Sequence, residues 1–393
     1  MKNILYLHAG AEMYGADKIL LELVSGLDKT EFHPIVVLPN DGILRKKMQE
    51  NGIEVHIIEY PILRRKYFNP KGIAEYGATY FSRSKEIVKL LRGRRIDIIH
   101  VNTTAVLEGI YLKKKLRSKL IWHVHEIILH PKSIYKFLSM LIGKYSDKTV
   151  AVSKAVKRHL IDSGYIKNNQ VEVIYNGVDS NRFSPNVDNE YLYEEWNVPK
   201  DSIKVGMIGR VNAWKGQGDF LKATKGLLKK YPNLYLFIVG SAFAGEEWCV
   251  EELKKKISEI PENERIIFSE FRTDTPAIHS FLDVFVLPST NPDPLPTVVL
   301  EAMSSGTPVI GYRHGGVVEM NVDGQTGLLA EVNNPSDLGN KIEKMINSDY
   351  HAYGQAARKR ILKNFSEDSF INHFSRIYED VDCKIKLNTA LIQ

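Results

Sequence analysis

Cysteine is nearly absent from this chain: of 393 residues only Cys249 and Cys383 carry a thiol. Two thiols so far apart fit neither a zinc-ligand spacing nor a redox pair, so nothing demands an oxidising compartment. Long apolar runs are missing too, and no stretch approaches the roughly 18 residues a membrane-spanning helix needs. The start, residues 1–10, has a short apolar run without signal-peptide architecture and reads as a first strand. Neither half contains G-x-G-x-x-G, which argues against an NAD oxidoreductase. The Gly10/Gly15 spacing lacks the Lys-Ser/Thr that a P-loop requires. No DNA- or RNA-binding motif is present, and the basic clusters lack dense aromatic interleaving, so no nucleic-acid partner is expected. The expected location is the cytoplasm, with peripheral contact at the inner face of the membrane as a further expectation.

What is present is a globular composition, 44% hydrophobic and 25% charged. The length predicts two domains or so. The net charge of +6 hides an asymmetry: residues 1–182 hold 30 Lys and Arg against 18 Asp and Glu, and the rest holds 23 against 29. Basic clusters lie at Arg64-Arg65-Lys66, at Arg92 to Arg95 and at Lys113 to Lys119. Such surface suits an anionic lipid or a phosphorylated substrate, or simply solubilises outer helix faces.

Apolar periodicity alternates between 2 and 3.6 along the chain. Strands are predicted at 3–9, 33–39, 53–58, 96–101, 119–124 and 149–153, and helices at 17–27, 42–51, 71–92, 104–116, 133–146 and 154–163. A strand is also predicted from Val171 into the Asn-Gly turn at 176–177. A polar, Pro-containing segment near 181–190 marks a boundary, after which the alternation restarts. The prediction is an α/β chain of two Rossmann-like, doubly wound parallel-sheet domains facing a cleft, residues 1–182 and 183–365. Residues 366–393 form a C-terminal helix packing back on the first domain, with a poorly ordered tail past Cys383.

Three stretches bear on chemistry. Val286–Gly311 reads as strand, loop, helix, strand, with Asp293 in the loop and Glu301 inside the helix. Pro296 suits the first helical turn, and the amides of Thr297 and Val298 are free to meet an anion. Arg210 and Lys215 sit among Gly209, Gly216 and Gly218 directly after a predicted strand. That arrangement suits phosphate better than a plain surface loop. A third strand ends in His125-Glu126, the usual ligand edge of such sheets, with His123 on the same face and read as packed. No third ligand follows at zinc-like spacing, so no metal is expected.

Taken together, Gly209-Arg210, Lys215-Gly216 and residues 286–311 resemble the retaining GT-B glycosyltransferases of family four, the glycosyltransferase group 1 type. Supporting segments are the loop 10–15, V-H-E at 124–126, A-V-S at 151–153, I-Y-N-G-V-D at 174–179 and G-G-x-x-E at 315–319, so the resemblance covers nearly the whole chain. It implies a hexosyltransferase-type enzyme using a nucleotide diphosphate sugar as co-substrate, without cofactor or metal. The acceptor would be a glycan or polyprenyl-linked glycan, as in bacterial surface polysaccharide synthesis. It also implies roles. Glu301 would bind the ribose, and Asp293 and His125 would lie by the donor sugar. Arg210 and Lys215, with the amides of Thr297 and Val298, would neutralise the diphosphate. Gly15 would let the first loop close over donor and acceptor, and backbone near Phe271 and Arg272 would read the base. Two positions depart from the family pattern: Asp293 replaces the usual Glu, and Pro294 and Pro296 replace the usual Gly. A nucleotide-sugar epimerase of the same fold and a non-catalytic scaffold in a glycan assembly complex remain alternatives.

Overall fold

The computed structural model describes residues 1–243 and 245–390, with 382–390 as backbone only. The chain divides into unit 1, Met1–Asn176 with Asp368–Gln393, and unit 2, Gly177–Glu367. The crossing after Asn176 falls earlier than the polar segment after residue 182 that the sequence suggests.

Unit 1 is built on a seven-stranded sheet of β1 (Lys2–Leu7), β2 (Phe32–Leu38), β3 (Glu54–Ile57), β4 (Ile98–Val101), β5 (Lys119–Val124), β6 (Lys148–Ala151) and β7 (Val171–Val173). The order is β3-β2-β1-β4-β5-β6-β7 and every pairing is parallel. Helices cover both faces, so the central strands read as continuous apolar runs; Ile4 to Leu7 and Ile35 to Leu38 are fully buried. Side-chain caps set several helix starts. Asn69 accepts from the Gly72 amide ahead of Pro70–Leu90, and Ser153 accepts from Val156 ahead of Lys154–Asp162.

The helix expected from residue 104 starts only at Glu108. The intervening backbone is committed elsewhere: the Thr103 carbonyl accepts from Trp122 Nε1 at 2.7 Å, and the Thr104 amide donates to the Glu126 carboxylate at 3.3 Å. The strand expected to run through the Asn-Gly turn stops at Val173.

The last helix, Glu367–Ala390, completes the core of unit 1. Phe370, Phe374, Ile377 and Tyr378 pack with Ile4, Tyr6, Phe32 and Ile98 in one cluster. Ile371 fills the space over Gly26, where an added Cβ would meet its Cδ1 at 2.1 Å. The Tyr378 hydroxyl lies 3.0 Å from that of Tyr6 and 2.8 Å from His100 Nδ1. The helix continues past Cys383 to Ala390, and 391–393, the end of the expected tail, lie outside the described residues.

Unit 2 holds a six-stranded parallel sheet of β8 (Ile203–Ile208), β9 (Leu234–Val239), β10 (Ile266–Ser269), β11 (Val284–Leu287), β12 (Val309–Tyr312) and β13 (Gly327–Ala330), in the order β10-β9-β8-β11-β12-β13. Its core gathers Val205, Met207, Phe220, Leu236, Ile238, Val286 and Ile310 with Leu338, Ile342 and Met345. Both sheets therefore have the doubly wound architecture that the alternating pattern predicts.

Candidate active site

In each unit the strand order reverses beside the first strand, between β1 and β4 in one and between β8 and β11 in the other. Ligands of open parallel sheets bind outside the carboxyl ends of strands at such points. The loops leaving β8 and β11 carry Arg210, Lys215 and Asp293, and Glu301 lies in the helix that follows the second loop.

In unit 2, Gly216 has φ +82°, and a Cβ there would lie 1.8 Å from the Pro288 carbonyl oxygen. Glycine alone lets the two loops meet so closely. The Thr290 amide donates to the Trp214 carbonyl at 2.8 Å, and Asn212 Oδ1 accepts from the Lys215 amide at 3.0 Å. So held, Lys215 Nζ donates to Asp293 Oδ1 at 2.8 Å. Ser289 Oγ donates to the other carboxylate oxygen at 2.6 Å. From behind, the Gly316 amide donates to the Asp293 carbonyl at 2.7 Å. A Cβ on Gly315 would come within 2.4 Å of that same oxygen. The Gly-Gly turn is thus the backing of the acid loop.

Arg210 lies over the Phe243 ring, 3.1 Å from its centroid, and Gln217 Nε2 donates to the Arg210 carbonyl at 2.8 Å. Pro296 is the N-cap of the helix Thr297–Ser304 rather than a residue of its first turn. The amides of Thr297 and Val298 have no partner among the described residues, while the Val299 amide turns back to the Pro296 carbonyl at 3.1 Å. Glu301 is buried in that helix, its Oε2 3.3 Å from His279 Nε2.

Arg272 is placed differently from Arg210 and Lys215. Its guanidinium grips both oxygens of Asp274, at 2.9 and 2.6 Å, and pairs with Glu195. These carboxylates hold Arg272 above the ordinary arginine range, and Arg272 pulls Asp274 down to about 2. The neighbouring Phe271 amide donates to Ser241 Oγ at 2.8 Å.

In unit 1, His125 follows β5 and is half-buried, with its Nε2 3.0 Å from Asn102 Oδ1. Burial, and then the neighbouring imidazoles of His8 and His100, lower it to about 3. The ring is therefore neutral at any physiological pH and serves as a hydrogen-bonding group, not a cation. Glu126 is pushed up by burial although Thr103 Oγ1 and the amides of Thr104 and His125 donate to it. His123 is wholly buried between His125, at 4.0 Å between ring centroids, and Phe374, at 4.9 Å, which places it in the core. Gly15 opens the helix Gly15–Gly26 after the first loop.

Ser289, His279 and Asn102 carry no signal in the sequence; each is a lone polar residue near a strand or helix end, without motif spacing. Equally without a sequence signal is a cavity of about 370 Å³ in unit 1. Leu63, Ala105, Ile128, Ile134 and Leu138 make its apolar wall, and Arg64 and Arg65 stand beside it. Both arginines are exposed and have no acidic partner among the described residues.

Comparison with known proteins matches residues 13–182 to the family model described as Glycosyltransferase Family 4 and residues 188–360 to that described as Glycosyl transferases group 1. One relative is an Escherichia coli UDP-Gal:alpha-D-GlcNAc-diphosphoundecaprenol alpha-1,3-galactosyltransferase, 24% identical over 92% of this chain and 95% of that protein. Another is the Staphylococcus aureus capsular polysaccharide biosynthesis glycosyltransferase CapM, 26% identical over 58% of this chain and 60% of that one. Among solved structures, Anabaena Alr3699/HepE in complex with UDP and glucose superposes with a TM-score of 0.84 at 23% identity, covering 96% of this chain and 100% of that one.

Proposed function

Because the chain belongs to the group 1 glycosyltransferases and is a glycosyltransferase of GT-B fold, we propose that it transfers a hexose, with retention and without a metal, from a nucleotide diphosphate sugar to a lipid-linked glycan in surface polysaccharide synthesis. The observation that carries this reading is the cluster at the β8/β11 switch point: Arg210, Lys215 and the two open amides of Thr297 and Val298.

Breaking the sugar–phosphate bond puts negative charge on the diphosphate and positive charge on the anomeric carbon. Cations and amides already fixed in place stabilise the leaving group with little reorganisation. Before donor binds, Lys215 is engaged by Asp293. A diphosphate competes for Lys215 and releases the Asp293 carboxylate toward the donor sugar, although that acid is one methylene shorter than the family's Glu. The leaving phosphate oxygen then accepts the acceptor hydroxyl proton, the new glycosidic bond forms on the face the phosphate leaves, and no side-chain base is required. His125 contributes a neutral hydrogen-bonding group. Glu301, buried beside the open amides, is assigned to the ribose, and backbone near Arg272 to the base; the Arg272 side chain itself holds Glu195 and Asp274.

For the acceptor, the apolar cavity with Arg64 and Arg65 beside it supports a molecule with an anionic head and an apolar tail. The Escherichia coli relative is named for such a substrate, and the basic N-terminal half supports peripheral contact with an anionic membrane. No helix among the described residues is long and apolar enough to cross a membrane.

The test is transfer of labelled hexose from a panel of nucleotide sugars to polyprenyl-diphosphate-linked sugar, with and without EDTA. Transfer that survives EDTA and vanishes in Arg210→Ala and Lys215→Ala, with thermal midpoints near that of the parent, is the expected result. Full activity in either variant overturns the phosphate assignment, and turnover without acceptor points to an epimerase.

A further inference from the structure

Five groups of unit 1 form an unbroken line from the first βα loop to His125. The Tyr14 amide donates to Asp17 Oδ2 at 2.8 Å. Asp17 Oδ1 lies 2.6 Å from His8 Nε2, a pair that is almost wholly buried. His8 Nδ1 lies 3.2 Å from Asn102 Nδ2, and Asn102 Oδ1 lies 3.0 Å from His125 Nε2.

With His8 neutral, donor and acceptor rules leave one consistent assignment. A carboxylate only accepts, so His8 Nε2 bears the hydrogen and a neutral His8 presents a bare Nδ1. A bare nitrogen must face a donor, so the amide nitrogen of Asn102 turns to it. The Asn102 oxygen then faces His125, whose Nε2 must donate. The amide turned the other way would set oxygen against the bare His8 nitrogen and nitrogen against an N–H, losing both bonds. His125 Nδ1 is therefore bare, and it has no hydrogen-bond partner among the described residues.

We propose that His8 and Asn102 are positioning residues, with Asp17 as their anchor, that lock His125 as the Nε2–H tautomer so that Nδ1 accepts a hydrogen bond from a substrate hydroxyl. The anchor sits at the start of the helix that Gly15 opens, one residue after Ala16, so the loop and the imidazole are coupled through side chains rather than through the sheet. A second Asn102 contact, Nδ2 to the Ala16 carbonyl at 3.5 Å, ties the amide to the first turn of the same helix. The bearing on catalysis rests on the transfer reading above; the tautomer does not.

The experiment uses the full chain labelled with 15N-histidine. Long-range 1H–15N spectra report which ring nitrogen of a neutral histidine is bare, and the signals of His125 among the 12 histidines are assigned by their loss in His125→Gln. In the parent protein Nδ1 is expected bare and Nε2 protonated. Asn102→Ala removes the constraint and should give an averaged pattern with a transfer kcat/KM about tenfold lower, the scale of one lost hydrogen bond. Asp17→Asn makes no contact with His125, yet an amide can donate to His8 Nε2 and reverse every bond along the line. Its His125 Nδ1 signal should move toward the protonated position. This variant also serves if Asn102→Ala fails to fold. A bare Nε2 in the parent, or an unchanged His125 pattern in Asp17→Asn, overturns the proposal. A correct tautomer in a protein without transferase activity would overturn only the transfer reading.

Discussion

At the scale of single residues, the ion pair of Lys215 and Asp293 is where ligand and fold compete. Lys215 is 18% exposed and Asp293 8% by side chain. Asp293→Ala leaves the ammonium and the Ser289 hydroxyl without their acceptor, which costs about 1–3 kcal/mol. A nucleoside diphosphate should restore much of it, so its thermal shift is expected to be larger in the variant than in the parent, by differential scanning fluorimetry. Glu108 gives a prediction of opposite character. It is fully buried at the start of the helix Glu108–Leu116, and burial pushes its carboxyl up to about 8 from an ordinary 4.5. The native state thus holds a proton that the unfolded chain releases near 4.5. Stability from this group is full below that value and is lost as pH rises to about 8. Glu108→Gln should flatten the dependence of the urea midpoint on pH in that window and stabilise the protein by about 1 kcal/mol or more at its upper end. Arg210, Lys215 and Asp293 were legible in the sequence because glycines and prolines frame them. Asn102 and His8 were not, because their partnership spans 94 residues and depends on strand order.

At the scale of elements, the loops after β8 and β11 are one device. Gly216→Ala puts a Cβ against the Pro288 carbonyl and into a backbone region that disfavours side chains. The expected result is a folded protein with little transfer and no thermal shift with nucleoside diphosphate; a parental response would show that the loops need not touch. The last helix makes a comparable claim on packing. Phe374 is fully buried against His100, His123 and Phe370. Phe374→Ala is expected to lower the unfolding free energy of unit 1 by about 3–5 kcal/mol in denaturant titration. Element type was legible because buried parallel strands are continuous apolar runs and their helices are amphipathic. Boundaries were less so: residues 104–107 have helical periodicity, but Trp122 and Glu126 claim the carbonyl and the amide of the peptide group that joins Thr103 to Thr104.

For the whole molecule, the alternation of strands and helices made both sheets readable, and the restart after the polar segment gave the number of units. The charge asymmetry leads to a test at the same scale. Residues 1–182 carry a surplus of positive charge, 30 against 18. Co-sedimentation with anionic vesicles is expected, falling as salt rises and in Arg64→Ala/Arg65→Ala, with none on neutral vesicles. Absence of binding at every salt concentration would remove the membrane from the account. The return of the last helix to unit 1 also bears on synthesis. The ribosome delivers strands β1 to β7 first, then all of unit 2, and only afterwards Phe370, Phe374 and Tyr378. Unit 1 must wait with an open apolar gap while unit 2 can fold on emergence. A chain stalled before Asp368 therefore presents a finished second unit tethered to an unfinished first one, the species on which chaperones and proteases would act.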